Sequence, residues 1–321
     1  MDAQLYSTKS KDYAFHSQEW EWWYFDGVFD NGYQIAACWF FGNPATRVPE
    51  DRFIQFMIHD PDGNPVAAMP RFPLNRTFAS TETCDVKMGD NRIYGDAPQF
   101  ELHFRSGDMG ADLSYKNVTQ GVREPPDGIQ VGRAQDPCTA RYLGWVIYPR
   151  STVTGKLIVA GKEISVKGEG YQDKNWGNGL LGDHFDHWYW GRLHFPNLTL
   201  AYWDGQQSPA NGNQRFKRLW VLKGEKLIEY SKDSIYTEAA DLQTELPSNY
   251  VFPQTLVLAI DGIRIKGTVT QRFRHWMVGP PLVLPGRSCY VRWLADCEAK
   301  LEVDGEKVEA TTRNILDRPV W

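Results

Sequence analysis

The sequence predicts an all-β protein of two antiparallel barrel or sandwich domains with little helix. Three observations predict it. Short apolar or alternating segments recur along the 321 residues, divided by Gly, Asp, Asn and Pro turn signals. No long stretch spaces its apolar residues three and four apart, as an amphipathic helix would. Aromatic residues make up 14% of the chain, and such side chains suit a pleated, half-buried surface.

The elements follow in order. Segments 20–29 and 33–41 flank Asp30-Asn31-Gly32, a tight hairpin signal. Segment 53–59 reads as a strand before the turn 60–64. Segment 99–105 alternates up to Ser106-Gly107-Asp108, and 111–118 is its expected partner. Segments 151–159 and 163–168 form another hairpin about Ala160-Gly161-Lys162. In the second half, 187–195 pairs with 198–203 about Pro196-Asn197, and 218–222 with 226–230 about Lys223-Gly224-Glu225. Asp261-Gly262 joins 255–260 to 263–269, and Asp304-Gly305 joins 290–303 to 307–312. The best helix candidate is 234–246, where Glu and Ala are frequent. The Pro- and Gly-rich segments 121–137 and 279–286 are too long for hairpin turns and read as covers at barrel mouths.

An internal echo suggests duplication. Trp22-Trp23-Tyr24-Phe25 opens a hairpin whose second strand ends in Trp39. His187-Trp188-Tyr189-Trp190 opens another whose second strand ends in Trp203. The expected boundary falls just after Gly177, with domains over 1–180 and 181–321.

Composition bounds the function. The net charge is −5 and the calculated pI about 5.8, which argues against a nucleic-acid or anionic-membrane partner. No uninterrupted apolar run is long enough to span a membrane. The first residues lack a basic-then-apolar signal pattern, so a cytoplasmic location is expected. Cys38, Cys84, Cys138, Cys289 and Cys297 are scattered and include no CxxC pair, so neither a zinc site nor a disulfide framework is expected. The pattern does not set an oligomeric state.

Four stretches carry candidate chemistry. The first is Glu19–Asp26. On a strand, Trp20, Trp22 and Tyr24 share one face, and Glu21, Trp23 and Phe25 the other. Burial among aromatics would raise the pKa of Glu21 and suit it to donate a proton; the plainer reading pairs it with an arginine or places it at a rim. The second is Tyr171-Gln172-Asp173-Lys174-Asn175-Trp176, between Gly170 and Gly177. Its turn formers suggest a structured turn. Alternatively, Asp173 and Asn175 orient Trp176 or a substrate carbonyl, and Lys174, Asn175 or Tyr171 polarises that carbonyl. The third is His184–Trp190, whose spacing does not match a zinc-hydrolase pattern. His187 is a candidate acid or base there. In the fourth, Arg272, Arg274 and Trp276 are expected to share a face opposite Phe273 and His275. Arg274 either forms an ion pair or holds a substrate oxygen.

Glu21-Trp22-Trp23-Tyr24-Phe25-Asp26, Gly170-Tyr171-Gln172-Asp173-Lys174-Asn175-Trp176-Gly177 and Trp188-Tyr189-Trp190-Gly191 together resemble the carotenoid 1,2-hydratase (hydroxyneurosporene synthase)-like family, also called AttH-like. The resemblance covers most of the chain. It implies two lipocalin-like β-barrel domains with a ligand pocket at or between them. It also implies either hydration of an alkene or, as in fungal pericyclases, Diels–Alder or hetero-Diels–Alder ring closure. Gln172-Asp173-Lys174 departs from the His-Asp-His more usual in hydratases, which points toward the cyclase branch.

The expected function is therefore a cofactor-independent cyclase of terpenoid or polyketide biosynthesis, acting on a small apolar or amphipathic organic substrate. Trp22, Tyr24, Trp176, Trp188, Trp190 and Trp276 are the candidate walls. Lys174, Asn175, Tyr171, Arg274, Glu21 and His187 are the candidate catalytic groups. No metal or cofactor is expected. One alternative is a hydratase using Glu21, Asp26, Asp173 or His187 as acid. Another is a carrier that binds an apolar ligand without turnover.

Overall fold

A computed structural model describes residues 19–44, 51–123, 129–131, 141–244, 251–277 and 289–320. These are nearly all strand and divide into two compact units, one ending at His184 and the other beginning at Phe185.

The first unit is one curled antiparallel sheet. Its strands are β1 (Glu19–Phe29), β2 (Gln34–Phe41), β3 (Arg52–His59), β4 (Pro65–Ala68), β5 (Thr77–Ala79), β6 (Cys84–Met88), β7 (Asn91–Asp96), β8 (Gln99–Ser106), β9 (Met109–Asn117), β10 (Val122–Arg123), β11 (Ile129–Val131), β12 (Arg141–Val159) and β13 (Lys162–Asn178). The order is β4-β3-β2-β1-β13-β12-β9-β8-β7-β6-β5, with β10 and β11 added on β12. The first strand thus lies beside the last. Trp23, Phe25, Trp39, Phe56, Phe104 and Tyr115 fill the core face. Phe56 and Phe104 stack there at 4.3 Å.

A four-residue helix, α1 (Leu181–His184), ends this unit. The second unit is another curled sheet. It contains β14 (Phe185–Phe195), β15 (Leu198–Gln207), β16 (Arg215–Lys223), β17 (Lys226–Ser231), β18 (Ile235–Thr244), β19 (Val251–Asp261), β20 (Ile265–Met277), β21 (Cys289–Val303) and β22 (Glu306–Val320). Its order is β17-β16-β15-β14-β22-β21-β20-β19-β18. Again the first strand pairs with the last. Its core face holds Tyr189, Leu193, Tyr202, Leu258, Trp293 and Leu316.

The aromatic echo survives in the register but not in the facing. Trp23 lies opposite Trp39 across β1 and β2, and Trp190 lies opposite Trp203 across β14 and β15. The first pair belongs to its core cluster. In the second unit their neighbours Tyr189 and Tyr202 fill the core instead.

Four local expectations are corrected. The described part of segment 234–246 holds a strand and not a helix: β18 starts in alternation, with Ile235 and Thr237 buried and Tyr236 and Glu238 exposed, and 245–246 lie outside the described residues. A strand with one open face accepts Glu and Ala on that face, and pairing with β19 overrides their helix preference. Residues 173–175 form no turn. They lie inside β13, paired with β1 on one side and β12 on the other. Segment 121–137 carries two short strands, β10 and β11, rather than loop alone; its remaining part, and 279–286, lie outside the described residues. Finally, β20 has a bulge between Phe273 and His275. The extra residue breaks the alternation, so Phe273 and Trp276 both pack against the core, with their rings 4.6 Å apart.

Candidate active site on β1 and β13

The two faces of the β1–β13 pair carry different chemistry. The register sets Glu21 opposite Trp176, Trp23 opposite Lys174, Tyr24 opposite Asp173 and Asp26 opposite Tyr171. Directly opposed residues share a face. Glu21, Trp23, Lys174 and Trp176 therefore lie on the core face. Trp22, Tyr24, Asp26, Tyr171, Asp173 and Asn175 lie on the other.

On the core face, Lys174 Nζ is 3.2 Å from Glu21 Oε2, with the two side chains 0% and 1% exposed. The partner of Glu21 is a lysine, not the expected arginine, because β13 lies beside β1. The ammonium also lies 4.5 Å from the ring of Trp176 and 5.4 Å from that of Trp23, close enough for cation–π attraction. Trp176 is the cross-strand neighbour of Gly144 on β12. A Cβ built there would come within 2.0 Å of the indole, so any larger residue would have to displace the ring.

On the opposite face, two buried carboxylates organise the aromatic side chains. Asp26 accepts the Tyr24 hydroxyl at 3.1 Å and the Tyr171 backbone N–H at 3.1 Å. Asp173 Oδ2 accepts the Tyr171 hydroxyl at 2.7 Å and the Trp145 indole N–H at 3.1 Å. Its Oδ1 accepts the Asn175 amide at 2.7 Å. Burial, followed by the charge and hydrogen bond of Asp173, pushes the Tyr171 phenol well above its ordinary pKa. The hydroxyl therefore stays protonated at neutral pH.

Trp22 and Asn175 are half-buried members of this face and register partners. Trp22 stacks on Trp20 at 4.6 Å and meets Phe40 at 6.0 Å. An amide has two N–H donors. Asn175 uses one on Asp173 and is the cross-strand partner of Trp22.

Glu21, Trp22, Tyr24, Tyr171, Lys174, Asn175 and Trp176 are thus gathered on one strand pair. Arg274, His187, Trp188, Trp190 and Trp276 belong to the second unit. Arg274 forms an exposed ion pair with Asp296 at 3.2 Å. His187 contacts the exposed Asp186 at 2.7 Å and packs its ring on Tyr189 at 5.6 Å. Trp188 donates to Asp317 at 3.0 Å. Trp190 is buried opposite Trp203. Trp276 packs on Phe252, Phe273 and Trp293. Sequence reasoning missed Trp145, because nothing local marks 141–150 as the neighbour of β13. Among the described residues, no group of three or more His, Cys, Asp or Glu is placed to hold a metal ion, and no helix is long and apolar enough to cross a membrane.

Two curled antiparallel sheets, each with its first strand beside its last, define a double lipocalin-like protein. The chain belongs to the AttH-like family, whose model matches residues 8–278. It is similar in fold to a putative AttH from Nitrosomonas europaea, at 15% identity and TM-score 0.64 over 98% of each chain. It is also similar to kievitone hydratase from Nectria haematococca, at 14% identity and TM-score 0.63 over 100% of this chain and 97% of that one. CghA with Sch210972 gives a TM-score of 0.72 at 11% identity, over 95% of this chain and 89% of that one. No curated protein matches this chain in sequence.

Proposed function

We propose that the protein is an enzyme acting on a small apolar or amphipathic organic substrate: a cofactor-independent cyclase that closes a ring by an intramolecular Diels–Alder or hetero-Diels–Alder reaction. The observation that carries this reading is Asn175, held on Asp173 at 2.7 Å and paired across the strands with Trp22. A polyene lying on Trp22 and Tyr24 would be folded into a reactive pose. A hydrogen bond from Asn175 to a conjugated carbonyl would lower the barrier by stabilising charge that builds on that oxygen. Two σ bonds form at the expense of π bonds within one molecule, so no co-reactant is needed.

A second reading, alkene hydration, is favoured by the buried carboxyl groups of Asp26 and Asp173 on this face, the candidate acids for protonating the alkene. The resemblance in fold to kievitone hydratase fits it as well. One experiment separates the two. The full chain is incubated with a synthetic linear triene bearing a conjugated enone, in heavy-oxygen water. A cyclic isomer free of label, formed at least tenfold more slowly by Asn175→Ala, supports the cyclase. A product carrying the label makes the protein a hydratase. Binding without conversion makes it a carrier.

A further inference from the structure

Between Asp173 and Asn175 sits a charged residue that points the other way. Lys174 reaches the core face and meets Glu21 in a pair shut off from solvent. Trp23 lies opposite Lys174 and Trp176 opposite Glu21, so the four side chains form a closed square across β1 and β13. Such a pair is a poor way to gain stability. Desolvating two charges offsets most of their attraction, and apolar side chains of similar volume often serve as well or better. A buried pair is better suited to selecting one arrangement over its competitors. In an antiparallel sheet, a slip of one residue sends every side chain to the opposite face. A slip of β13 would turn Asp173 and Asn175 into the core beside Trp23 and Phe25. It would also carry Lys174 away from Glu21 to the face of Tyr24 and Asp26.

We propose that Glu21 and Lys174 are a positioning pair, which locks the register of β13 on β1 and so aims Asp173 and Asn175 at the opposite face. The inference rests on the reading of Asn175 as donor to a substrate carbonyl, and extends it. Neither member of the pair touches the substrate.

The test uses the full chain with two double variants: Glu21→Leu with Lys174→Met, and the charge swap Glu21→Lys with Lys174→Glu. Three quantities are measured. The first is the melting temperature. The second is the closure rate of a disulfide from Val28→Cys with Glu169→Cys, half-buried register partners away from the site. The third is the affinity for β-ionone, an apolar conjugated ketone, by quenching of tryptophan fluorescence. The apolar pair is expected to melt no lower than the native chain, close the disulfide several-fold more slowly and bind β-ionone about tenfold more weakly, equal to about 1.4 kcal/mol. The swap is expected to recover closure rate and affinity.

Native closure and affinity in the apolar variant would overturn the proposal. So would failure of that variant to fold, which would make the pair a stability element. If Asn175→Ala binds β-ionone as tightly as the native chain, the donor reading falls instead, while the closure rate still decides the positioning.

Discussion

Tyr171 donates its hydroxyl to Asp173 at 2.7 Å, across the single intervening residue Gln172 of the same strand. Residues two apart on a strand share a face, so the bond needs no help from a distant element. Asn175 of the same strand adds a second donor, and the neighbouring strand β12 supplies a third, Trp145.

Alkaline pH is expected to destabilise the protein through its buried phenols. Burial is the first cause of the raised pKa of both Tyr171 and Tyr202. Below about pH 10, these groups are protonated in folded and unfolded chains alike. Above it, the unfolded chain loses those protons while the folded chain keeps them, so stability falls as pH rises. Urea unfolding between about pH 9 and 11.5 should show a shallower fall for Tyr171→Phe with Tyr202→Phe than for the native chain. Equal slopes would show that these phenols ionise alike in both states.

Asp173→Ala should be among the most damaging single changes on this face. It leaves the Tyr171 hydroxyl and the Trp145 indole N–H buried without their acceptor. Each orphaned donor costs about 1–3 kcal/mol, so a total loss of roughly 2–6 kcal/mol is expected in chemical denaturation. Asp173→Asn retains one acceptor oxygen and should lose less. An alanine variant as stable as the native chain would mean that other groups readily satisfy both donors.

Gly144→Ala tests the close approach on the core face. The added methyl group would overlap the Trp176 indole, which lies against Lys174. A destabilisation of about 1–3 kcal/mol is expected, as for overpacked cores. It should be accompanied by a change in tryptophan fluorescence. A silent substitution would mean that the indole moves aside at little cost.

Arg274→Ala should matter little. Its pair with Asp296 is exposed on both sides, and Asp296 also meets Arg313 at 3.1 Å. Such pairs contribute little, and a change below about 0.5 kcal/mol is expected in thermal or urea unfolding. A larger loss would reveal a role that the geometry of this unit does not suggest.

Much of the fold is legible along the chain, because strand alternation and turn chemistry are local. Asp30-Asn31-Gly32 marks the β1–β2 hairpin, and the sharing of faces by Trp20, Trp22 and Tyr24 follows from their spacing alone. The short strands β4 to β7 are not legible along the chain, since three to six residues give too little pattern to count. The edge strand β18 looked helical because Glu and Ala carry that preference until a neighbouring strand pairs with them. A bulge adds one residue that no spacing rule anticipates, and it turns Trp276 to the core face.

The sequence by itself determined the all-β class, most of the hairpins, and the fact that Glu21 and Trp22 face opposite ways. Only the tertiary structure decided what each one meets. Glu21 meets Lys174, and Trp22 meets Asn175, because the first and last strands of the unit lie side by side in one register. Alternation is a property of a single strand and is written within a few residues. Register is chosen by all the pairs that two distant strands form together, and a shift of one residue exchanges the core face for the site.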